Sequence, residues 1–140
     1  MKAFLLKTIE EARGYTLAVA EALPEDYYAS TPVPGTWTFG ELLNHIAYGV
    51  RWWNDNYVQG VSAAWNPPAA KTTKADVLDT LDDAFNGLAL SVADLQPQEK
   101  VAIGVWSALD HVSHHRGQAI LHLRHHGVMP PEYVMVEPAN

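Results

Sequence analysis

The chain has 140 residues, a hydrophobic fraction of 48% and a net charge of -7, which fits one ordinary domain with its own core and is too apolar for a disordered chain. The acidic balance, with no Lys/Arg cluster to track a phosphate backbone, argues against nucleic-acid binding. Cysteine is absent, which removes disulfides, thiolate metal ligands and a Cys nucleophile together and fits a reducing cytoplasm.

The first element is a helix from about Lys2 to Leu23, where Leu5, Ile9, Ala12, Thr16, Val19 and Leu23 recur at helical spacing and Pro24 ends the run. Its opening, Met1 to Lys7, carries too short an apolar stretch for a secretory signal. No segment of the chain is apolar enough for long enough to span a bilayer, so the expected protein is intracellular, with no membrane partner. A loop from Glu25 to Thr36 follows, longer than a tight bundle turn and suited to forming a rim.

The second helix opens with Thr38-Phe39-Gly40-Glu41, a capping box in which Thr38 caps and Glu41 reaches back. It runs to about Val58, and Leu42, His45, Ile46, Gly49 and Trp53 share one broad face. The irregular stretch from Gly60 to Thr72 holds Trp65, Pro67 and Pro68. The third helix opens at Thr73, with Asp76 three residues on as a weaker box. Leu78, Leu81, Phe85, Leu88, Val92 and Leu95 form its apolar stripe, and Pro97 lies beyond. The fourth helix is expected from Ser107, with Asp110 placed to favour the N-terminal dipole, to Gly127, a typical residue just past a helix end. No strand pattern competes, and no repeat or low-complexity tract appears. The pattern predicts an all-α, up-down four-helix bundle with long connections.

The fourth helix also carries His111-Val112-Ser113-His114-His115-Arg116-Gly117-Gln118. His111 and His115 stand one turn apart on one face, an arrangement that can grip one metal ion. His45 on the second helix supplies a third imidazole, and three neutral nitrogens with an open fourth position make a catalytic type of metal site. Leu109, Val112, Ile120 and Leu123 form the core face of the fourth helix. His111, His115, Gln118 and His122 form a second stripe roughly a quarter turn away, bordering the core, where bundles build ligand pockets. Ordinary roles compete for each residue. His45 alone fits a hydrogen-bonded core position, His125 and His126 fit the C-terminal dipole, and His114 points away from the pair. Trp52, Trp53, Tyr57 and Trp65 fit a pocket wall, a subunit interface or plain core filling. His-Glu-x-x-His, Gly-x-Ser-x-Gly, a Gly-rich phosphate loop and Glu-x-x-His are all absent, which sets aside zincins, serine hydrolases, nucleotide binders and di-iron bundles.

Three segments carry a family resemblance: Gly35-Thr36-Trp37-Thr38-Phe39-Gly40-Glu41-Leu42-Leu43-Asn44-His45-Ile46, the run His111 to Gln118, and Leu123-Arg124-His125-His126-Gly127-Val128-Met129-Pro130-Pro131-Glu132. Taken in order over nearly the whole chain, residues 1–140 resemble one DinB-like (YfiT-like) domain. The resemblance implies an antiparallel four-helix bundle with a long connection, commonly a homodimer. It also implies a divalent metal held by His45, His111 and His115. Zinc or nickel leads that expectation, with iron or manganese as alternatives. Relatives in that superfamily include S-transferases dependent on bacillithiol or mycothiol and a mycothiol-dependent maleylpyruvate isomerase.

The resemblance therefore points to a metal-dependent S-transferase joining a low-molecular-weight thiol to a small electrophile. A hydrolase using water at the same site, and a non-enzymatic, stress-related or regulatory dimer, stay open beside it. Asn44, Tyr48, Asp110 and Gln118 are the candidates for orienting the imidazoles or the substrate. No residue stands out as a general base.

Overall fold

Four apolar stripes need partners, and in the computed structural model, which describes residues 1–133 and 137, they find them in one another. The helices are α1 (Lys2–Ala22), α2 (Phe39–Trp53), α3 (Lys74–Asp94) and α4 (Glu99–His125), with no strand among the described residues. A single 3₁₀ turn, Glu25–Tyr27, follows α1, and α2 continues into a wider π-type turn at Asn54–Val58. Ile9, Val19, Leu42, Leu43, Ile46, Leu81, Phe85, Leu88, Val112 and Leu123 are buried in one core. Full burial of each of the larger side chains stabilises the fold by roughly 1.5–3 kcal/mol. No helix among the described residues is long and apolar enough to cross a membrane.

Around the bundle, α3 lies between α1 and α2, and α4 lies between α2 and α1. The Lys2 ammonium donates to the Ala93 carbonyl at one end of α3, and Lys74 at the other end reaches the Glu21 and Leu23 carbonyls. Those contacts make α1 and α3 antiparallel. Gly49 faces His111 and Gly104 faces Tyr57, so α2 and α4 are antiparallel as well. By contrast α2 and α3 run parallel, because Asn44 meets Lys71 near their starts and Gln59 meets Ser91 near their ends; the four-helix bundle is as expected, but its up-down alternation is broken between these two helices. A parallel pair needs a connection that returns along the full length of the helix, which explains why residues 59–73 form a long strap.

A ladder of side chains on α2 and its π-type turn holds that strap. Asn44 accepts from the Lys71 N–H at 2.9 Å and donates to its carbonyl at 3.0 Å. The Tyr48 hydroxyl accepts from the Asn66 N–H at 2.7 Å, the Trp52 indole donates to Ala63 O at 3.1 Å, and Asn56 Oδ1 accepts from the Ala63 N–H at 3.1 Å. Residues 44, 48, 52 and 56 stand four apart and so line one helical face. The ladder fixes the strap beside His45.

One boundary differs from expectation. α4 begins at Glu99, not Ser107, with Gln98 at its N-cap and no side-chain cap. Val101, Gly104, Val105 and Ala108 continue the buried face toward the N-terminus. Exposed Ile103 and Trp106 obscure that periodicity, and Gly104 reads as a helix breaker although it is a packing requirement. A Cβ there would sit 2.5 Å from the Tyr57 Cβ, so only glycine lets the two helices close. The α2 cap forms as expected. Thr38 Oγ1 accepts from the Glu41 N–H at 3.2 Å, and Glu41 Oε2 accepts from the Thr38 N–H at 3.0 Å. At α3, Thr73 Oγ1 accepts from the Asp76 N–H at 3.1 Å.

Removing the α2 cap should be visible in thermal unfolding. Thr38→Ala is expected to lower stability by about 1 kcal/mol, a drop of roughly 2–5 °C in Tm by circular dichroism. An unchanged Tm would mean the box contributes nothing to α2.

Candidate metal centre

The antiparallel pairing of α2 and α4 brings His45, His111 and His115 together. His45 Nε2 lies 3.0 Å from His111 Nε2 and 3.0 Å from His115 Nε2. One nitrogen from each of the three residues lies within 4.8 Å of the other two. All three rings are partly buried. Gly49, one turn after His45, makes this approach possible. A Cβ at Gly49 would stand 2.4 Å from His111 Cε1 and 2.5 Å from its Nδ1, so any side chain there would displace the ring.

The electrostatics favour neutral rings. Burial, and then the neighbouring imidazoles, push His45 and His111 down to about 4. His115 is also lowered, mainly by burial, with the Gln118 hydrogen bond opposing the shift. Neutral imidazoles present lone pairs, and no more than one proton can lie between each pair of facing nitrogens. Lone pairs crowded together without a shared positive charge are unfavourable; a cation between them resolves this. Nitrogens bound at about 2.0–2.1 Å to one tetrahedral ion lie about 3.3 Å apart, close to the spacing here. The three histidines could therefore hold a divalent metal.

The supporting groups divide sharply. Gln118 Oε1 accepts from His115 Nδ1 at 2.9 Å, which fixes the ring and leaves Nε2 to face the cluster. Among the described residues His111 Nδ1 is buried with no hydrogen-bond partner, at a cost of roughly 1–3 kcal/mol. Asn44 and Tyr48 line a cavity beside His45, but Asn44 bonds Lys71 on the strap and the Gly40 carbonyl on its own helix, and Tyr48 bonds Asn66 on the strap, rather than the imidazoles. Asp110 lies elsewhere. It is exposed and lines a separate depression between α1 and α4 with Phe4 and Trp106, because one residue before His111 on a helix points about 100° away.

The remaining histidines are not in the cluster. His122 is 4% exposed, packs on Phe39 with ring centroids 5.6 Å apart and leaves Nδ1 without a partner among the described residues. His114 and His125 are exposed. His126 caps α4, stacks on Tyr27 at 4.0 Å and meets Ser30 Oγ at 2.8 Å, pinning the loop after α1.

Two aromatic side chains frame the centre. Trp37 lies 4.4 Å from the His45 ring and 5.7 Å from His115, and Trp65 on the strap lies 5.6 Å from His45 (centroid distances). Trp65 was among the candidate pocket residues; Trp37 was not singled out. Its signal in the sequence is its place just before the cap residue Thr38. A hydrophobic residue there often packs near the fourth helical residue, here Leu42, and both line one cavity.

The model of the DinB superfamily matches residues 8–129. In fold, the chain is similar to the crystal structure of a DinB-like protein from Bacillus cereus. The TM-score is 0.77 at 16% identity, over 91% of this chain and 94% of that one. No curated protein matches significantly.

The depressed histidines have a consequence for the metal-free protein. An unfolded histidine titrates near 6.5, whereas His45 and His111 in the fold titrate at about 4. Between those values the unfolded chain binds more protons, so stability should fall as pH drops from about 6.5 to about 4 and be unaffected by these groups above that window. Urea midpoints of the metal-free protein measured across that range should slope less steeply in His111→Gln. Identical slopes would show that the ring is not held neutral by the fold.

Proposed function

The chain belongs to the DinB superfamily, and on that premise we propose that His45, His111 and His115 bind one divalent metal that serves transfer of a small thiol to an electrophilic carbon. The observation that carries this reading is the convergence of three neutral imidazole nitrogens at a cavity mouth in a chain with no cysteine. Such a centre has no thiol of its own, so the sulfur must come from a cosubstrate. When bound, the metal lowers the pKa of a coordinated thiol or water, which makes a nucleophile available near neutral pH. Zinc and nickel both suit three imidazoles.

The protein's own groups do the rest. Gln118 orients the His115 ring, and Gly49 admits the His111 ring. Trp37 and Trp65 cover His45 and limit water there. In the transfer, a sulfur–carbon bond forms, the bond from carbon to the leaving group breaks, and the leaving group departs with the bonding pair. Among the described residues no carboxylate belongs to the cluster, so the thiol proton passes to solvent. Hydrolysis is the alternative chemistry for the same site.

Turnover decides between them. Zinc-loaded protein should accelerate conjugation of L-cysteine to 1-chloro-2,4-dinitrobenzene, and both a chelator and His45→Ala should abolish the acceleration. Gln118→Ala, at an exposed position, should keep the fold and lose roughly 10–100-fold in metal affinity or rate. Metal-dependent turnover of an ester without thiol would favour the hydrolase. No metal-dependent turnover with thiols or esters would overturn the enzymatic reading.

A further inference from the structure

Two cavities meet at the histidines, and they differ in kind. One, of about 540 Å³, opens beside His45 and is lined by Glu41, Arg51, Lys71 and Asp83. Among the described residues Arg51, Lys71 and Asp83 take part in no ion pair, so charges of both signs face the space unmatched. The other, of about 420 Å³, opens beside His115 and includes Val33, Leu42, Leu121 and His122; no Lys, Arg, Asp or Glu lines it. Trp37 lines both. Its ring stands over His45 and close to His115, so the indole forms the partition between the two spaces.

Each space selects a different chemistry. Unpaired charges of both signs favour a ligand that carries an ammonium and a carboxylate together, because both ends find partners. An uncharged cavity instead favours apolar surface and penalises a charged group that would lose its water.

We propose that the two cavities are separate subsites. The charged one takes the zwitterionic head of an amino-acid-type thiol, and the uncharged one takes the apolar body of the electrophile. Trp37 keeps the two ligands apart except at the histidines, where sulfur and carbon can meet. The roles of donor and acceptor rest on the thiol-transfer reading; the binding preferences rest on the cavities alone.

Binding to the zinc-loaded protein, followed by amide NMR shifts, tests this without turnover. The probes are L-cysteine, 2-mercaptoethanol as a thiol without the zwitterion, and benzyl alcohol as an unreactive apolar body. Ala70 and Val33 are exposed residues lining the first and second cavity, so a bulky replacement at either blocks one space without touching the core. Ala70→Trp should weaken L-cysteine at least tenfold and leave benzyl alcohol unchanged, and Val33→Trp should do the reverse. Asp83→Ala should weaken L-cysteine and leave 2-mercaptoethanol unchanged. The proposal is overturned if L-cysteine and benzyl alcohol compete, if either tryptophan variant weakens both or neither, or if benzyl alcohol does not bind. Should the binding pattern hold while no thiol transfer is found, the subsites stand and the transfer reading fails.

Discussion

The arrangement depends on one close approach, that of the His111 ring to the backbone of α2 at Gly49. The helices could pack without it, but the three imidazoles could not meet. His45 and His115 would still face each other, while His111 would be held off by any Cβ at position 49. The approach has a cost. His111 Nδ1 is buried without a partner among the described residues, and below about pH 6.5 its ring is held neutral where an unconstrained histidine would carry a proton. Packing across α2 and α4 sustains that cost through Leu42, Leu43, Ile46, Val112 and Leu123, all buried in the shared core. The site is thus a locally unfavourable arrangement held in place by a favourable bundle.

The second constraint is topological. With α2 and α3 parallel, the chain must return along the bundle, and the ladder from Asn44 to Asn56 decides where that return runs. The strap places Trp65 against His45 and carries Pro67 to Lys71 along the charged cavity. The loop after α1 performs a similar task on the other side. It is pinned by His126 through Ser30 and Tyr27, and it presents Trp37 and Val33. Two long connections that a minimal bundle would not need therefore form the walls of the two spaces around the histidines.

Much of this was legible in the residues. The stripes on α1 and α3, the Thr38–Glu41 box, and the pairing of His111 with His115 by helical spacing all follow from period and residue type. His45 could be nominated as a lone histidine on a core-facing stripe, but only folding brings it to the pair. Three features were hidden. The start of α4 was masked by Gly104 and by exposed Trp106. Gly49 looked like an ordinary small residue, because the ring that requires it lies on another helix. Asn44 and Tyr48 line the cavity beside His45, yet they bond the strap and, for Asn44, the Gly40 carbonyl, since a sequence shows which groups can donate and accept but not what lies opposite them. Asp110 failed for a simpler reason: adjacent positions on a helix do not share a face.

The central claim is that three particular histidines among seven act as one ligand set. Long-range nitrogen–proton NMR of the imidazoles, with the metal-free protein titrated by zinc, tests it residue by residue. The account predicts that the ring signals of His45, His111 and His115 move together and saturate at about one equivalent, each ligating through Nε2. Signals of His114, His122, His125 and His126 should stay in place. Movement of the second group first, or of His111 and His115 without His45, would contradict the account.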